Sequence, residues 1–252
     1  MKVLFLDAPF TGTVELCPET LQYFQEKSIK TIALYASVQF CHNLEKVKRQ
    51  LQERDITIIS SHAKRTDVPQ QILGCDNYHD SLQLSKEQLQ QIDAFLYIGD
   101  GKFHPLALAY GQKDAKLFKE IICNDPIGKT FSLITKKDIQ DLVNKQRGAL
   151  LKFLSAKNVG VLITIKPGQE HLQPSLALEK KYPDKKFYYF IDNTISFDQL
   201  ENFPFVEVWV NTACPRIGLD DQEQFRKGVL NLNEALRADK LGEEKHFFES
   251  SL

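Results

Sequence analysis

The stretch "VEVWVNTACPRIGLDD", residues 206–221, contains the pattern that decides the fold. Its first five residues are almost wholly apolar, which is typical of a parallel strand that is covered on both faces. The strand leads into a turn with a lone cysteine, Cys214, followed by a proline and Arg216. Ligands of α/β proteins bind at the carboxyl ends of such strands. A free cysteine also packs as a small hydrophobic residue, so the residues alone leave a structural and a ligand-binding role open for Cys214.

Other short apolar runs have the same character as this strand. They lie at 2–8, 30–36, 94–99 and 159–165. Segments with helical periodicity lie between them, and the clearest are 43–55 and 137–158. Strands that alternate with helices predict an α/β protein built on parallel sheets.

The order of these elements repeats along the chain. Strand, helix, strand, helix, strand and a conspicuous turn follow each other from residue 31, and again from residue 159. We therefore predict two related Rossmann-like parallel-sheet units, a middle α/β domain over 29–135 and a last α/β domain over 136–252. Residues 1–28 match neither unit and are predicted to be an N-terminal remnant of a third.

Composition excludes several classes of protein. The 252 residues carry a net charge of −1, which gives no general attraction to nucleic acid or to an anionic membrane. No apolar run approaches the roughly 20 residues of a membrane helix, and the first residues do not resemble a secretory signal. The five cysteines contain no CxxC pair. We expect a cytoplasmic protein whose cysteines do not form a disulfide framework or a zinc finger.

Two further turns follow predicted strands. "GDGKFHP" at 99–105 suits a loop that touches a ligand, and it makes Gly101 and His104 candidates, although a lone histidine is also a common structural hydrogen-bonding residue. "TIKPGQ" at 164–169 is predicted to open a helix whose N–H groups hold an anion. Neither turn completes a dinucleotide-binding or P-loop motif.

Several blocks occur in the order of one known family. "SVQFCHNLEKVKRQL", "LGCDN", "YIGDGKFHPLALA", "NDP", "TIKPGQ" and "NTACPRIGLDD" resemble the 2-(3-amino-3-carboxypropyl)histidine synthases, the iron–sulfur enzymes of the first step of diphthamide biosynthesis. The resemblance extends over nearly the whole chain. It implies three related α/β domains, each of which gives one cysteine to a [4Fe–4S] cluster whose fourth iron engages S-adenosylmethionine.

The resemblance also implies an activity and its partners. A 3-amino-3-carboxypropyl radical from S-adenosylmethionine would add to a histidine of translation elongation factor 2, with a separate electron donor. Cys75 and Cys214 match the family's cluster ligands. Chemistry and resemblance together make Arg216, Gly168 and Gln169 candidate contacts for S-adenosylmethionine. Gln39 and His42 are carried over from the matching helix start, and Gly101 and His104 complete the predicted cofactor pocket.

One departure from the family leaves alternatives open. Residues 1–28 resemble the end of the family's first domain, and the rest of that domain, with its cysteine, has no counterpart here. A homologous subunit could supply the missing ligand, or Cys17 or Cys41 could replace it. The chain could instead be a catalytically degenerate partner subunit. Without the family blocks, the same pattern would indicate a small-molecule-binding protein without redox chemistry.

Overall fold

A computed structural model describes residues 8–61, 63–66, 68–74, 79–166, 169–219 and 221–243. The chain divides into Met1–Gln140, called unit 1, and Asp141–Leu252, called unit 2. Both units alternate strands with helices around mainly parallel sheets. The α/β class predicted from the sequence is therefore confirmed.

Unit 1 is built on a mixed sheet. Its elements are α1 (Pro18–Glu26), β1 (Thr31–Ala36), α2 (Glu45–Gln52), β2 (Thr57–Ile59), α3 (His79–Leu82), α4 (Lys86–Gln91), β3 (Ala94–Ile98), α5 (Phe103–Tyr110), β4 (Ile121–Asp125) and β5 (Thr130–Ile134). The described strands follow the order β2-β1-β3-β4-β5, in which β5 alone is antiparallel. β1 and β3 are buried nearly throughout, as their continuous apolar sequences predict.

The segment before β1 packs into the core of unit 1. Val14, Leu16 and Phe24 are buried in the same core cluster as the apolar residues of β1 and α2. α1 begins at Pro18, because a proline needs no backbone donor in the first helical turn. The domain boundaries 1–28, 29–135 and 136–252 stay a prediction. The strand predicted at 2–8 lies outside the described residues except for its last position.

Unit 2 is built on a parallel sheet, and its first helix begins at the last residue of unit 1. Its elements are α6 (Gln140–Ser155), β6 (Asn158–Thr164), α7 (Leu172–Ser175), α8 (Ala177–Lys181), β7 (Lys186–Asp192), α9 (Phe197–Leu200), β8 (Val208–Asn211), α10 (Arg216–Leu219), β9 (Val229–Asn231), α11 (Leu232–Ala235) and α12 (Ala238–Glu243). The described strands follow the order β7-β6-β8-β9. Apolar clusters cover β6 and β8 on both faces.

The two helices predicted most clearly are confirmed, with shorter bounds. The segment 43–55 contains α2, which ends before Asp55 adopts a φ of +54°. The segment 137–158 contains a 3-10 turn and then α6, which packs on the sheet through Ala149 and Phe153 in its second half. Across the described ranges, no helix combines the length and apolarity needed to cross a membrane.

Candidate functional site

The carboxyl ends of β1 and β3 lie side by side in unit 1, because Ala36 pairs with Ile98 in the parallel register. Two side chains meet beyond these ends: Gln39 Nε2 donates to Asp100 Oδ1 at 2.9 Å. Gln39 is half-buried and Asp100 is exposed. The bond orients the carboxylate while leaving it accessible to a ligand.

The loop after β3 needs glycine at one position. Gly101 has a φ of +74°, a conformation that other residues rarely adopt, and no heavy atom lies within 4 Å of the place for its Cβ. Gly99 is buried, and its N–H donates to Asn124 O at 3.1 Å. These two glycines let the chain leave β3 and begin α5 beside the strand end.

His104 lies in the first turn of α5, half-buried against Tyr97 of β3. Its Nδ1 is 3.4 Å from the Tyr97 hydroxyl, and the two rings stack with centroids 6.2 Å apart. Burial raises the pKa of Tyr97, so the phenol stays protonated and can donate a hydrogen bond to Nδ1 when the imidazole proton is on Nε2. The histidine predicted as a candidate is therefore held in a defined orientation at the edge that carries Gln39.

In the turn after β1, a histidine and the cysteine next to it differ in exposure. His42 is exposed in the turn Cys41–Asn43, whereas Cys41 is buried. Cys41 Sγ donates to Ser37 O at 3.3 Å, and burial raises the pKa of Cys41 to about 12. His42 is open to a ligand, and Cys41 is a poor source of the thiolate that a metal requires.

The predicted ligand Cys75 lies outside the described residues, but the chain just before it is described. Gln71 pairs with Ala36 at the end of β1. A Cβ at Gly74 would lie 2.0 Å from the ring of Phe103, the first residue of α5. At residue 74 the chain therefore packs against the helix start that carries His104.

Cys214 is half-buried in the turn between β8 and α10. Its carbonyl oxygen accepts two hydrogen bonds, from Asn211 Nδ2 at 3.0 Å and from the N–H of Ile217 at 3.0 Å. The backbone of the cysteine is thus fixed, while the residue remains partly open to solvent. Arg216 lies exposed two positions further on, at the first residue of α10.

The end of β6 is adjacent to this turn, because Leu162 pairs with Asn211. Gln169, beyond that end, is half-buried, and its N–H donates to Lys166 O at 3.0 Å. The prediction that 164–169 opens a helix was wrong, because α7 begins only at Leu172. Gly168 lies outside the described residues.

The other cysteines within the described ranges are buried. Cys17 precedes α1, with its Sγ 3.1 Å from Thr20 Oγ1, and burial raises the pKa of Cys123 in β4 to about 12. Their burial is typical of cysteines that pack as small hydrophobic residues. In the described part of the chain, Cys214 is the cysteine that is not buried, and no three metal-ligating side chains there lie close enough to hold an ion.

Sequence reasoning missed three polar residues at these edges. Asp100 was not among the candidates in the loop 99–105, and it accepts a hydrogen bond from Gln39. Asn211 and Asn231 end two neighbouring strands, and Asn211 Nδ2 donates to Asn231 Oδ1 at 2.8 Å. The available signal was an asparagine closing each of two apolar runs, "VWVN" and "VLN".

Comparison with known proteins identifies relatives of this arrangement. Residues 1–247 match the family described as "Putative diphthamide synthesis protein". A 2-(3-amino-3-carboxypropyl)histidine synthase of Pyrococcus horikoshii is 33% identical over 223 residues, which cover 87% of this chain and 60% of the relative. Subunit 1 of the synthase of Dictyostelium discoideum is 25% identical over 93% of this chain and 49% of its own length.

Solved structures give the same relationship. A crystal structure of Dph2 from Pyrococcus horikoshii with a 4Fe–4S cluster matches with a TM-score of 0.70 and 28% identity, over 90% of this chain and 62% of the other. A second crystal structure of that protein matches with a TM-score of 0.72 over 64% of its length. The chain thus spans less than two thirds of these relatives.

Proposed function

The chain belongs to the diphthamide synthesis protein family, and from this premise we propose that it transfers a 3-amino-3-carboxypropyl group from S-adenosylmethionine to a histidine of translation elongation factor 2. The observation that carries the proposal is the half-buried Cys214 at the carboxyl end of β8, within a chain similar to a protein crystallised with a 4Fe–4S cluster. A thiolate at a strand end is a suitable ligand for such a cluster.

The exposure of each described cysteine indicates whether it fits as a ligand of a [4Fe–4S] cluster. Cys214 fits because it is the partly accessible one among them, whereas Cys17, Cys41 and Cys123 are buried. In our proposal Cys214 and Cys75 hold the cluster. When bound, the cluster would supply the electron that cleaves S-adenosylmethionine reductively.

The residues around the two edges bind and orient the cofactor in this proposal. Arg216 offers a planar guanidinium to the carboxylate of S-adenosylmethionine, and Gln169 and Gly168 approach its polar groups. In unit 1, His104, held by the Tyr97 hydroxyl, provides a fixed imidazole. The loop at Gly101 is a further proposed contact, and the oriented side chain of Gln39 and the exposed His42 lie at the mouth of unit 1.

The burial of the other described cysteines indicates which partners the reaction needs. A homologous subunit supplies the further thiolate, since burial disfavours Cys41 and Cys17, and several eukaryotic relatives are themselves named subunit 1. A separate electron donor and elongation factor 2 complete the reaction. We propose a cytoplasmic protein that requires neither a membrane nor nucleic acid.

The test is anaerobic reconstitution of the full chain with iron, sulfide and an excess of dithiothreitol, whose thiolate stands in for the ligand of the homologous subunit. We expect a brown protein that absorbs broadly at about 400 nm. Cys214→Ala should lose most of the bound iron, whereas Cys123→Ala, which removes a buried thiol, should retain it. Transfer of labelled aminocarboxypropyl group to elongation factor 2 is then measured with a homologous subunit and a reductant present.

Two other outcomes would redirect the proposal. A colourless chain that stimulates transfer by a catalytic homologue would indicate a degenerate partner subunit. A colourless chain without such an effect would favour a small-molecule-binding protein of the same fold. Unchanged iron content in Cys214→Ala would refute the ligand assignment.

A further inference from the structure

Two asparagine side chains meet at the carboxyl edge of unit 2. Asn211 ends β8, Asn231 ends β9, and the two residues are partners in the parallel register. Asn211 Nδ2 donates to Asn231 Oδ1 at 2.8 Å. We call this pair the amide clamp.

The clamp bonds to three consecutive residues of the turn after β8. Asn211 Oδ1 accepts the N–H of Ala213 at 3.1 Å, and its Nδ2 donates to Cys214 O at 3.0 Å. Asn231 Nδ2 donates to Pro215 O at 3.4 Å. The donors and acceptors of both amides are therefore directed at the cysteine turn or at each other.

The helix after the turn completes the restraint. The N–H of Ile217 donates to Cys214 O at 3.0 Å, and the N–H of Gly218 donates to Pro215 O at 3.1 Å. Each of these carbonyls thus accepts one bond from the clamp and one from α10. A Cβ at Gly218 would lie 2.5 Å from Asn231 Oδ1, so the helix start and the clamp are in direct contact.

The burial of Asn211 indicates that the clamp serves the turn. Asn211 is 1% exposed, at a strand position where an apolar side chain would pack without needing polar partners. Burying an amide is costly unless its hydrogen bonds are made, and the bonds of this amide go to the turn and to Asn231. Cys214, which the turn presents, is the described cysteine that is not buried.

We propose that the amide clamp is a positioning device for the Cys214 thiol. It holds residues 213–215 in one conformation before any ligand arrives, so that the thiol is presented at the strand end without reorganisation. The identity of the ligand as an iron–sulfur cluster rests on the proposed function. The positioning itself is a property of the metal-free chain.

The test measures the reactivity of each thiol in the metal-free full chain. Asn211→Asp keeps the acceptor for the Ala213 N–H and loses the donors to Cys214 O and Asn231, and it also places a carboxylate in a buried site. The rate of alkylation by iodoacetamide is followed for each cysteine by peptide mass spectrometry. We expect alkylation of Cys214 to accelerate about tenfold, because two hydrogen bonds of ordinary strength no longer restrain the turn.

Further variants separate positioning from general loss of structure. Asn231→Asp adds the same charge, keeps the acceptor for Asn211 Nδ2 and loses the long donation to Pro215 O, so it should produce a smaller acceleration. Asn233→Ala, an exposed position in α11, is the matched control and should leave the rate unchanged. Unchanged alkylation of Cys214 in both aspartate variants overturns the proposal. Equal acceleration at the buried cysteines overturns it as well.

A second readout separates this inference from the proposed function. After anaerobic reconstitution, the wild-type chain should hold iron and Asn211→Asp should hold several-fold less. If the wild-type chain holds no iron while Asn211→Asp still accelerates alkylation at Cys214 alone, the proposed function fails and the positioning role stands. If the wild-type chain holds iron and the aspartate variants match it in both measurements, the positioning role fails and the proposed function stands.

Discussion

Unit 1 arranges its parallel strands in the order β2-β1-β3-β4, and unit 2 uses the matching order β7-β6-β8-β9. Each unit also places an asparagine at the carboxyl end of its fourth strand. Asn124 is the register partner of Ile98, and Asn231 is the register partner of Asn211. The same position of the scaffold thus carries the same side chain in both units.

The two units also share a feature at the amino ends of their strands. Asp93 Oδ2 accepts the N–H groups of residues 30 and 31, both at 2.8 Å, where β1 begins. Glu207 Oε2 accepts the N–H groups of residues 157 and 158 at 2.7 and 2.8 Å, where β6 begins. A carboxylate just before the third strand therefore binds the free donors at the start of the first strand in both units.

The units differ in what their asparagines hold. Asn124 binds the segment before α1, whereas Asn231 binds the Cys214 turn. The loop after β3 leads into α5, which has eight residues, while the turn after β8 leads into α10, which has only four. A short helix provides few backbone bonds of its own, so the thiol turn depends on side-chain amides. The two units therefore share their strand order but differ in the loops at the carboxyl ends of their strands.

The largest expected effect concerns the central strand pair. Ala33 pairs with Phe95 in unit 1, whereas Gly160 pairs with Trp209 in unit 2, and a Cβ at Gly160 would lie 2.2 Å from the indole. We expect Gly160→Val to lower the free energy of unfolding of unit 2 by about 3 kcal/mol or more, because the buried ring cannot move without disrupting the core. Trp209 is the single tryptophan, so its fluorescence in urea measures the change.

The control for this prediction is a glycine with free space. No heavy atom lies within 4 Å of a Cβ at Gly148, which is exposed in α6. Gly148→Ala should therefore raise stability by about 0.5–1 kcal/mol through helix propensity. An unchanged urea midpoint in Gly160→Val would show that the indole does not require glycine opposite it.

The next largest effect is the loss of stability when the asparagine of a fourth strand is replaced, and we expect it to be greater for Asn124 than for Asn231. Asn124 is fully buried; its Oδ1 accepts Cys17 N at 2.8 Å and Thr20 Oγ1 at 2.9 Å, and its Nδ2 donates to Glu15 O at 3.0 Å. We expect Asn124→Ala to cost about 2–3 kcal/mol, since it leaves buried partners without bonds. Urea unfolding followed by circular dichroism measures the loss.

Asn231→Ala tests whether the comparison holds. Asn231 is half-buried, so water can replace part of its bonds, and we expect a cost of about 1 kcal/mol. Alkylation should then increase at Cys17 in Asn124→Ala and at Cys214 in Asn231→Ala. The same cysteine responding in both variants would contradict the division of roles between the asparagines.

A smaller effect concerns the glycine contacts at the two carboxyl edges. Gly74 packs against Phe103 in unit 1, as Gly218 packs against Asn231 in unit 2. We expect Gly74→Ala to cost about 1–2 kcal/mol, because the new methyl group displaces the aromatic ring. Phe103→Leu in the same chain should recover part of the loss, and a double-mutant cycle by urea unfolding measures the coupling. Strictly additive losses would show that the two residues do not compete for space.

The strands β1, β3, β6 and β8 and the α/β class follow from the sequence because they depend on local patterns. Continuous apolar runs specify buried parallel strands wherever they lie along the chain. The pairs Gln39–Asp100 and Asn211–Asn231 could not be predicted, since each joins residues that only the sheet register brings together. The helix expected to open within 164–169 begins only at Leu172, since the ends of a helix of four residues are weakly marked in a sequence.

The smallest effect is a pH dependence of unit 2. The N–H groups of Asn158 and Lys157 hold the pKa of Glu207 below its ordinary value of 4.5. A lowered pKa means that the stabilisation is present above pH 4.5 and is lost as the pH falls through the folded-state pKa. Glu207→Gln keeps an acceptor for both N–H groups but removes the charge, so at neutral pH it should cost less than about 1 kcal/mol.

The difference between wild type and Glu207→Gln should therefore shrink on acidification. Urea midpoints from Trp209 fluorescence, measured at neutral pH and at about pH 3, follow this change in unit 2. Glu170→Gln, at an exposed position of the same unit, should match the wild type at both pH values. If the difference in urea midpoint between the two proteins is the same at both pH values, the charge of Glu207 does not stabilise the start of β6, and the hydrogen bonds that its oxygen accepts do. The carboxylates before the third strands would then act through hydrogen-bond geometry alone.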